Sequence, residues 1–140
     1  MHDHNAFTMM ELLLVIALVG LLAYVAGPSV SGILGDWEFQ NARQKLEADL
    51  TSTRYQAYSL ETPEIITLNA STYDLFDGRS VTLPYGVTFA DLTSSEVAVT
   101  IPHTITFDKF GGISDSIGFS LQRGGTTVQF SVNTLGRVTQ

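Results

Sequence analysis

The sequence predicts an α+β protein in which a long N-terminal helix packs on an antiparallel β-sheet or β-sandwich head. Three observations predict this class. Residues 7–27 form an apolar run that contains a single charge, Glu11. Residues 36–60 repeat apolar side chains at spacings of three and four, the period of a one-faced helix. Residues 63–140 alternate short β-branched and aromatic runs with turn residues, which is typical of strands.

The apolar run at residues 7–27 predicts a retained transmembrane helix. A helix of this length spans about 30 Å, the thickness of the hydrocarbon core of a bilayer. A cleaved secretory signal is one alternative, but residues 1–6 lack Lys and Arg, and the small residues at 25–27 are followed by Pro28. A buried helix of a soluble protein is the other alternative, although such a helix is rarely apolar on every face.

Glu11 is the residue in this run that needs an explanation, because an ionised carboxylate in hydrocarbon is costly unless it is neutralised. It could lie in the membrane interface, where the positive end of the helix dipole stabilises it. If the chain is cut before Phe7, the new α-amino group lies one helical turn from Glu11 on the same face. That amine could pair with Glu11 of its own chain or of a neighbour, and pairing between chains would link the charge to assembly.

The segment Ala6-Phe7-Thr8-Met9-Met10-Glu11-Leu12-Leu13, after a short polar leader, resembles the processing and assembly signature of type IV pilin-like proteins. The resemblance implies that a prepilin peptidase cuts between Ala6 and Phe7 and N-methylates Phe7. It also implies that Glu11 neutralises the N-terminus of an adjacent subunit. The chain departs from the family in having Ala6 where Gly is usual and in lacking Lys and Arg in the leader, which bears on the efficiency of cleavage.

The resemblance implies a division of the chain into a leader (1–6), a transmembrane and filament-core helix (7–27), a kink with an amphipathic helix (28–62) and a β-rich head (63–140). It implies a single-pass protein of the inner membrane with a periplasmic or extracellular head, which later enters a filament. The implied partners are other pilin or pseudopilin subunits, the prepilin peptidase and inner-membrane lipid.

Residues 28–62 are predicted to begin with a kink or a locally melted turn, because Pro28 removes a backbone donor and clashes with the preceding turn. Gly20 and Pro28 also lie where many family members have helix-loosening residues. Asp36 is a plausible N-cap for the amphipathic part, and Pro63 stops it. The predicted core face consists of Phe39, Ala42, Leu46, Leu50, Thr53, Ala57 and Leu60. The predicted solvated face consists of Glu38, Arg43, Lys45, Glu47, Asp49 and Arg54.

Two hairpins can be predicted in the β-rich part from the pairing of apolar residues. A two-residue turn at Gly124-Gly125 places Leu121 opposite Val128, Phe119 opposite Phe130 and Ile117 opposite Val132. A three-residue turn at Asp77-Gly78-Arg79 places Leu75 opposite Val81 and Tyr73 opposite Leu83. Further strands are expected at residues 97–101 and 105–107.

The C-terminal half resembles the GspH/FimT-type minor pseudopilins and pilins in three stretches, residues 106–111, 117–121 and 128–132, and in the terminal Gly136-Arg137-Val138. That resemblance implies a β-sandwich head and a minor subunit of a type II secretion pseudopilus or a type IV pilus. The alternative is a DNA-uptake minor pilin whose head binds DNA or another ligand, with Arg137 as the possible contact. DNA binding is disfavoured because the part from residue 28 onward carries 12 acidic and 7 basic residues, once Asp3 and Glu11 are subtracted from the 14 acids of the chain.

No enzyme chemistry, cofactor or metal is predicted. The chain has no Cys, so it lacks a thiolate nucleophile or ligand. His2 and His4 lie in the leader, and His103 follows Pro102 in an expected surface turn. Asp74 and Asp77-Gly78 have incomplete spacing for a calcium loop, and a hairpin turn explains them better.

Overall fold

The computed structural model describes residues 8–95 and 97–140, except for the side chains of residues 26–31. Within these residues one helix, α1 (Met9–Leu60), is followed by nine short strands. They are β1 (Glu64–Leu68), β2 (Thr72–Asp74), β3 (Ser80–Thr82), β4 (Val87–Ser94), β5 (Val97–Ala98), β6 (His103–Phe107), β7 (Ile117–Arg123), β8 (Thr126–Val132) and β9 (Val138–Thr139). The chain divides into two compact units, residues 1–37 and 38–140. The predicted α+β class is confirmed.

In the first unit the side chains of residues 8–25 are all exposed. Among the residues that the structure describes, no helix is long and apolar enough to span a membrane. The predicted transmembrane segment, 7–27, includes Phe7 and the side chains of residues 26 and 27, which lie outside the described set. The transmembrane assignment therefore stays a prediction.

Helix α1 is assigned as one continuous helix, whereas the sequence predicts a helix in two parts; its end at Leu60 agrees with the predicted amphipathic stretch 36–60. Its backbone is assigned as helical from Met9 to Leu60, a range that includes Gly20, Pro28 and Asp36. Asp36 is therefore not an N-cap, because the backbone before it is already helical and leaves no helix start to cap. The helix ends at Leu60, where Glu61 adopts a left-handed conformation with φ of +53°, two residues before Pro63.

Nine strands in the described chain form two antiparallel sheets. The first has four strands in the order β3-β2-β1-β6, and the second has five in the order β5-β4-β7-β8-β9. Both sheets turn alternate side chains inward, as the strand period requires. On β7, Ile117, Phe119 and Leu121 are buried, and Phe119 stacks on Phe130 of β8 with ring centroids 5.2 Å apart.

One face of residues 39–57 of α1 supplies the helix side of the core. Six of the seven predicted core residues are buried, and Thr53 among them satisfies its hydroxyl by donating to the Asp49 carbonyl at 2.8 Å. The buried members are Phe39, Ala42, Leu46, Leu50, Thr53 and Ala57. The prediction is wrong for Leu60, which is 54% exposed, since it is the last residue of the helix.

The predicted register of the β7–β8 hairpin is confirmed. Leu121 pairs with Val128, Phe119 with Phe130 and Ile117 with Val132. The turn contains Gly124, whose φ of +57° suits a tight hairpin turn.

The predicted register of the β2–β3 hairpin is wrong by two residues. Tyr73 pairs with Val81 rather than with Leu83. The Leu75 N–H donates to the Arg79 carbonyl at 2.8 Å, so the loop consists of residues 76–78. The last residue of this three-residue loop adopts a left-handed conformation, and Gly78 takes that position with φ of +82°. In the predicted turn, 77–79, Arg79 would stand at that position, so the turn is shifted by one residue to place a glycine there. A register shift of two leaves each side chain on its predicted face.

Two smaller expectations about strands are also corrected. The strand expected at residues 97–101 is reduced to β5, which ends where β4 is bulged between Ala90 and Thr93. The Val99 N–H donates to the Leu92 carbonyl at 3.0 Å, in register with the β4–β5 pairing. His103 lies in β6 opposite Leu68 rather than in a turn. The strand expected at 105–107 is confirmed within β6, with Ile105 and Phe107 fully buried.

A part-buried hydrogen bond ties α1 to the first sheet. The Tyr73 hydroxyl donates to Asp49 Oδ2 at 2.6 Å. Burial of the phenol, together with this bond to a carboxylate, raises the pKa of Tyr73 far above its usual range. The tyrosine is therefore held in its neutral form as a donor to the helix.

Replacement of Tyr73 by Phe should lower the free energy of unfolding by about 2 kcal/mol, because a hydrogen bond to a charged group is lost while the ring is kept. Denaturant titration of wild type and variant measures this difference. Tyr85→Phe is the matched control, since Tyr85 is 97% exposed. An equal change in both variants would contradict the role of the Tyr73–Asp49 bond.

Tyr73 should also make stability fall at high pH. In the unfolded chain the phenol loses its proton above about pH 10, whereas the folded state keeps it because the folded pKa is raised. The folded state then binds more protons, so the free energy of unfolding decreases as pH rises. The decrease between pH 9 and 11 should be steeper for wild type than for Tyr73→Phe, as measured by denaturant titration at each pH.

A second junction joins α1 to two loops of the head. Arg54 Nε donates to the Gly111 carbonyl at 3.0 Å. Gly136 lies against the same carbonyl with φ of +71°, and a Cβ built there would be 1.9 Å from the Gly111 oxygen. Only glycine fits this position.

Gly136→Ala should therefore lower the free energy of unfolding by about 2 kcal/mol or more, from left-handed strain and from displacement of the Gly111 loop. Gly124→Ala is the control, because Gly124 also has a positive φ but has no atom within 4 Å of a built Cβ. Thermal unfolding of both variants should show the larger loss at Gly136, and equal losses would refute the steric argument.

Candidate functional site

The start of α1 places Glu11 in a reciprocal hydrogen-bonded cap with Thr8. The Glu11 N–H donates to Thr8 Oγ1 at 3.2 Å, and the Thr8 N–H donates to Glu11 Oε2 at 3.1 Å. The Thr8 hydroxyl also donates to the same carboxylate oxygen at 3.0 Å. This arrangement is a capping box, in which Thr8 is the N-cap and Glu11 the third helical residue.

Thr8 is a residue that the sequence analysis missed as a partner of Glu11. The signal was present in the chain as the spacing Thr8-Met9-Met10-Glu11, which is the Thr-x-x-Glu pattern of a capping box. The cap supplies two donors to Glu11 Oε2 from within the chain. Hydrogen bonds from its own helix end thus replace part of the water that the carboxylate would otherwise bind.

The surroundings of Glu11 are apolar on every side of the helix. Among residues 8–25 it is the one charged side chain. The large apolar side chains of this segment are 48–82% exposed, so the first unit offers them no internal cover. An apolar surface that encircles several helical turns requires lipid or other helices to shield it from water.

The other residues predicted to serve processing and assembly are only partly described. Ala6 and Phe7 lie outside the described residues, as does the side chain of Pro28. Gly20 lies within α1 with no atom within 4 Å of a built Cβ. Cleavage before Phe7 and loosening at Gly20 and Pro28 stay predictions.

The face of α1 that lies opposite the core differs from the predicted solvated face. At 100° per residue, the charged side chains of the predicted solvated face lie on the two flanks of the helix, between the core face and the far side. Asp49, for example, is half-buried. The far side, called here the outer helix face, carries no charge between residues 40 and 59. It consists of Gln40, Asn41, Gln44, Ala48, Thr51, Ser52, Tyr55, Tyr58 and Ser59.

The outer helix face differs from an ordinary solvated helix face in lacking charge and in exposing two tyrosines. Tyr55 and Tyr58 are 63% and 64% exposed, and between them and Gln44 the side chains are small. Protein interfaces are depleted in charge and enriched in tyrosine. A solvated helix of an acidic protein would instead carry charged residues at these positions.

Arg137 lies with Arg54 beside a cleft of about 370 Å³ at the loops that follow β6 and β8. Its side chain is exposed, and its N–H donates to Asn133 Oδ1 at 3.0 Å. Asp108 lines the same cleft. An acidic and two basic side chains share this place, so the cleft is not a basic patch.

The residues considered for metal binding have other partners. Hydrogen bonds from Ser80 and Asn69 lower the pKa of Asp74, and a hydrogen bond from the Arg79 backbone lowers that of Asp77. Both carboxylates thus stabilise the β2–β3 hairpin. In the described part of the chain no group of three or more His, Asp or Glu side chains could hold a metal ion.

No family model matches the sequence, and no curated protein matches it. Solved structures do match the fold. A crystal structure of the Pseudomonas aeruginosa (strain PAO1) type IV minor pilin FimU, in space group P21, aligns with a TM-score of 0.60 and 18% sequence identity over 75% of this chain and 89% of that chain. A second FimU crystal form, in space group P65, aligns with a TM-score of 0.56 and 18% identity over 71% of this chain and 90% of that chain. The chain therefore has a type IV pilin-like fold.

Proposed function

We propose that this protein is a structural, non-enzymatic subunit of a pilin-like filament, inserted in the inner membrane through residues 7–27 before assembly. The observation that carries the proposal is the segment 8–25, apolar and exposed on every face, with a single carboxylate held at its start by Thr8. Lipid can shield such a surface before assembly, and helices of other subunits can shield it afterwards. The likeness of fold to a type IV minor pilin supports the same function.

The capping box refines the proposed role of Glu11. In the membrane, two donors from Thr8 lower the cost of keeping the carboxylate among apolar side chains. In the filament, the α-amino group of a neighbouring processed subunit would replace this local solvation with a charge pair. This exchange would make the state in which the next subunit is docked more stable than the state in which the subunits are separate in lipid.

The outer helix face is the second surface that we propose for subunit contact. It is uncharged, it carries Tyr55 and Tyr58, and its central small residues let another helix or head approach closely. The filament would be a type II secretion pseudopilus or a type IV pilus, and the head of the subunit would be periplasmic or extracellular.

Glu11→Gln removes the charge of Glu11 but keeps the cap, because glutamine can also accept a hydrogen bond from the Thr8 N–H in a capping box. We expect the variant to be inserted and processed normally but to enter filaments about tenfold less or worse, since a charge pair of a few kcal/mol is lost. Quantitative immunoblotting of sheared filaments and of membranes measures both pools. Thr8→Ser, which keeps the cap, is the control.

Normal incorporation of Glu11→Gln would refute the charge-pairing role. Loss of the variant from the membrane as well as from filaments would show that Glu11 serves insertion or folding instead.

Cleavage is tested by the intact mass of the protein purified from its own host membrane. The expected mass is that of residues 7–140 plus one CH2 unit, because N-methylation replaces an amine hydrogen by a methyl group. Ala6→Gly should be processed at least as fully as the wild type, whereas Ala6→Leu should accumulate the uncut form, because a bulky residue is placed before the cut. A mature protein that keeps residues 1–6 would contradict the proposal.

Ala48→Glu tests the outer helix face, because it adds a charge that would be buried in a subunit contact. We expect a strong reduction of filament incorporation with an unchanged melting temperature. Lys45→Glu is the control, since it also adds acidity on the exposed helix but on the flank. Equal incorporation of the two variants would exclude this face from assembly.

A further inference from the structure

The loop that follows β6, residues 108–112, is held in place by its own first residue. Asp108 Oδ1 accepts from the Phe110 N–H at 2.8 Å and from the Gly112 N–H at 2.9 Å. The Gly111 N–H donates to the Asp108 carbonyl at 2.9 Å, and Gly111 has a φ of +74°. This Asx turn is built from backbone and carboxylate atoms alone. The loop therefore does not depend on the side chain at position 110.

The loop that follows β8, residues 133–137, repeats the same arrangement. Asn133 Oδ1 accepts from the Leu135 N–H at 3.1 Å and from the Arg137 N–H at 3.0 Å. The Gly136 N–H donates to the Asn133 carbonyl at 2.7 Å, and Gly136 has a φ of +71°. Position 135 corresponds to position 110 of the first loop, and its side chain is likewise not needed for the turn.

Both loops nevertheless expose an apolar side chain at this third position. Phe110 is 73% exposed and Leu135 is 63% exposed, and the two line one cleft. The Ile113 N–H donates to the Thr134 carbonyl at 3.1 Å, which joins the loops to each other. Tyr58, 64% exposed, lines a depression together with Phe110. These three side chains, called here the loop-end patch, form a contiguous and preorganised apolar surface, which is typical of a contact site.

Phe110, the most exposed member of the loop-end patch, has a positive charge beside it. Lys109 Nζ lies 5.1 Å from the centre of the Phe110 ring, in a cation–π contact. Among the described residues Lys109 has no ion-pair partner. A pocket that receives the Phe110 ring therefore also receives a cation, and an acidic side chain at its rim would complement it.

A pocket with these properties lies between α1 and β3. Its volume is about 200 Å³, roughly that needed by one aromatic side chain. Its apolar lining includes Ala42 of the helix and Val81, Leu83 and Pro84 of β3 and the loop that follows. Glu38 also lines it, is exposed and has no ion-pair partner in the described chain. We call this site the edge pocket, because β3 is the edge strand of its sheet.

The loop-end patch and the edge pocket lie at opposite ends of the unit formed by residues 38–140. Tyr58 of the patch and Ala42 of the pocket are 16 residues apart on α1, which is about 24 Å at the rise of a helix. Phe110 therefore cannot reach the edge pocket of its own chain. A projecting side chain and a pocket at opposite ends make a heterologous contact, in which each copy can use both surfaces and the series can extend.

We propose that copies of this chain associate head to tail, with Phe110 of one copy seated in the edge pocket of the next and Lys109 beside Glu38 of that copy. The size and lining of the edge pocket, together with the opposite charges beside the two surfaces, support this pairing. The inference rests on the proposed function for its partner, a second subunit of the same kind, and adds which two surfaces of the heads meet.

Crosslinking between introduced cysteines tests the contact, because the chain itself has no Cys. The full chain is purified at one chain per detergent micelle, so that a shared micelle does not hold copies together. Thr134→Cys, beside Phe110, is mixed with Thr82→Cys, which lines the edge pocket, and a short bismaleimide is added. The mixed product should exceed that with Thr127→Cys, an exposed strand residue outside the pocket, about tenfold through a higher effective concentration.

Phe110→Ala, added to the Thr134→Cys chain, should lower the mixed product about tenfold, because the aromatic anchor of the contact is removed. Leu135→Ala is the matched control, since it removes an exposed apolar side chain from the equivalent position of the other loop. It should lower the product less than about threefold, as expected of a residue beside the anchor. Circular dichroism should show an unchanged fold for both variants, because both side chains are exposed.

Charge reversal gives an independent readout. Lys109→Glu in one chain or Glu38→Lys in the other should each lower the product about threefold at low salt, and the two together should restore it. The proposal is overturned if the Thr82 and Thr127 variants react equally, if Phe110→Ala has no effect, or if the reversed pair does not recover. It is also overturned if Thr134→Cys in host membranes is crosslinked only to a different protein. These results leave the Glu11→Gln test untouched, so failure of this contact and failure of the proposed function are distinguishable.

Discussion

The packing of one face of α1 residues 39–57 on the two sheets is the interaction on which the head depends. Six side chains of this face are buried, and they share a core with Ile66, Leu68, Ile105, Phe107 and the inner residues of β7 and β8. Neither sheet has another described helix to cover its inner face. The Tyr73–Asp49 bond and the Arg54–Gly111 bond then fix the helix along its axis, one near the middle of this segment and one near its end.

A helix with this core face leaves two kinds of surface exposed. Charged side chains occupy the flanks, where their long stems can cover the edge of the core while the heads reach water. The outer helix face, directly opposite the core, carries none. The flanks therefore carry the charge of this helix segment, and the outer helix face carries the uncharged, tyrosine-bearing surface that we propose for subunit contact.

Glu11 illustrates how a local motif can alter the cost of a residue that looks misplaced. As a lone carboxylate in an apolar run it is expensive, but the Thr8 cap supplies hydrogen bonds without any partner chain. In the proposed assembly role, the Thr8 donors and the α-amino group of a neighbouring subunit compete for the same carboxylate oxygen atoms of Glu11. A charge pair in a dry environment is the stronger of the two, which gives the proposed exchange its direction.

The sequence by itself determined the α+β class, the core face of α1 and the register of the β7–β8 hairpin. Each follows from the spacing of apolar residues, because one arrangement places these residues together in the core. It also contained the Thr8–Glu11 cap as a spacing. Tertiary structure decided the rest. The β2–β3 register followed the glycine that could take a left-handed turn, and the length of β5 followed the bulge in β4. The row of Thr93, Gly118, Ser131 and Thr139 joins four strands of the second sheet, so only the pairing of those strands could bring these residues together.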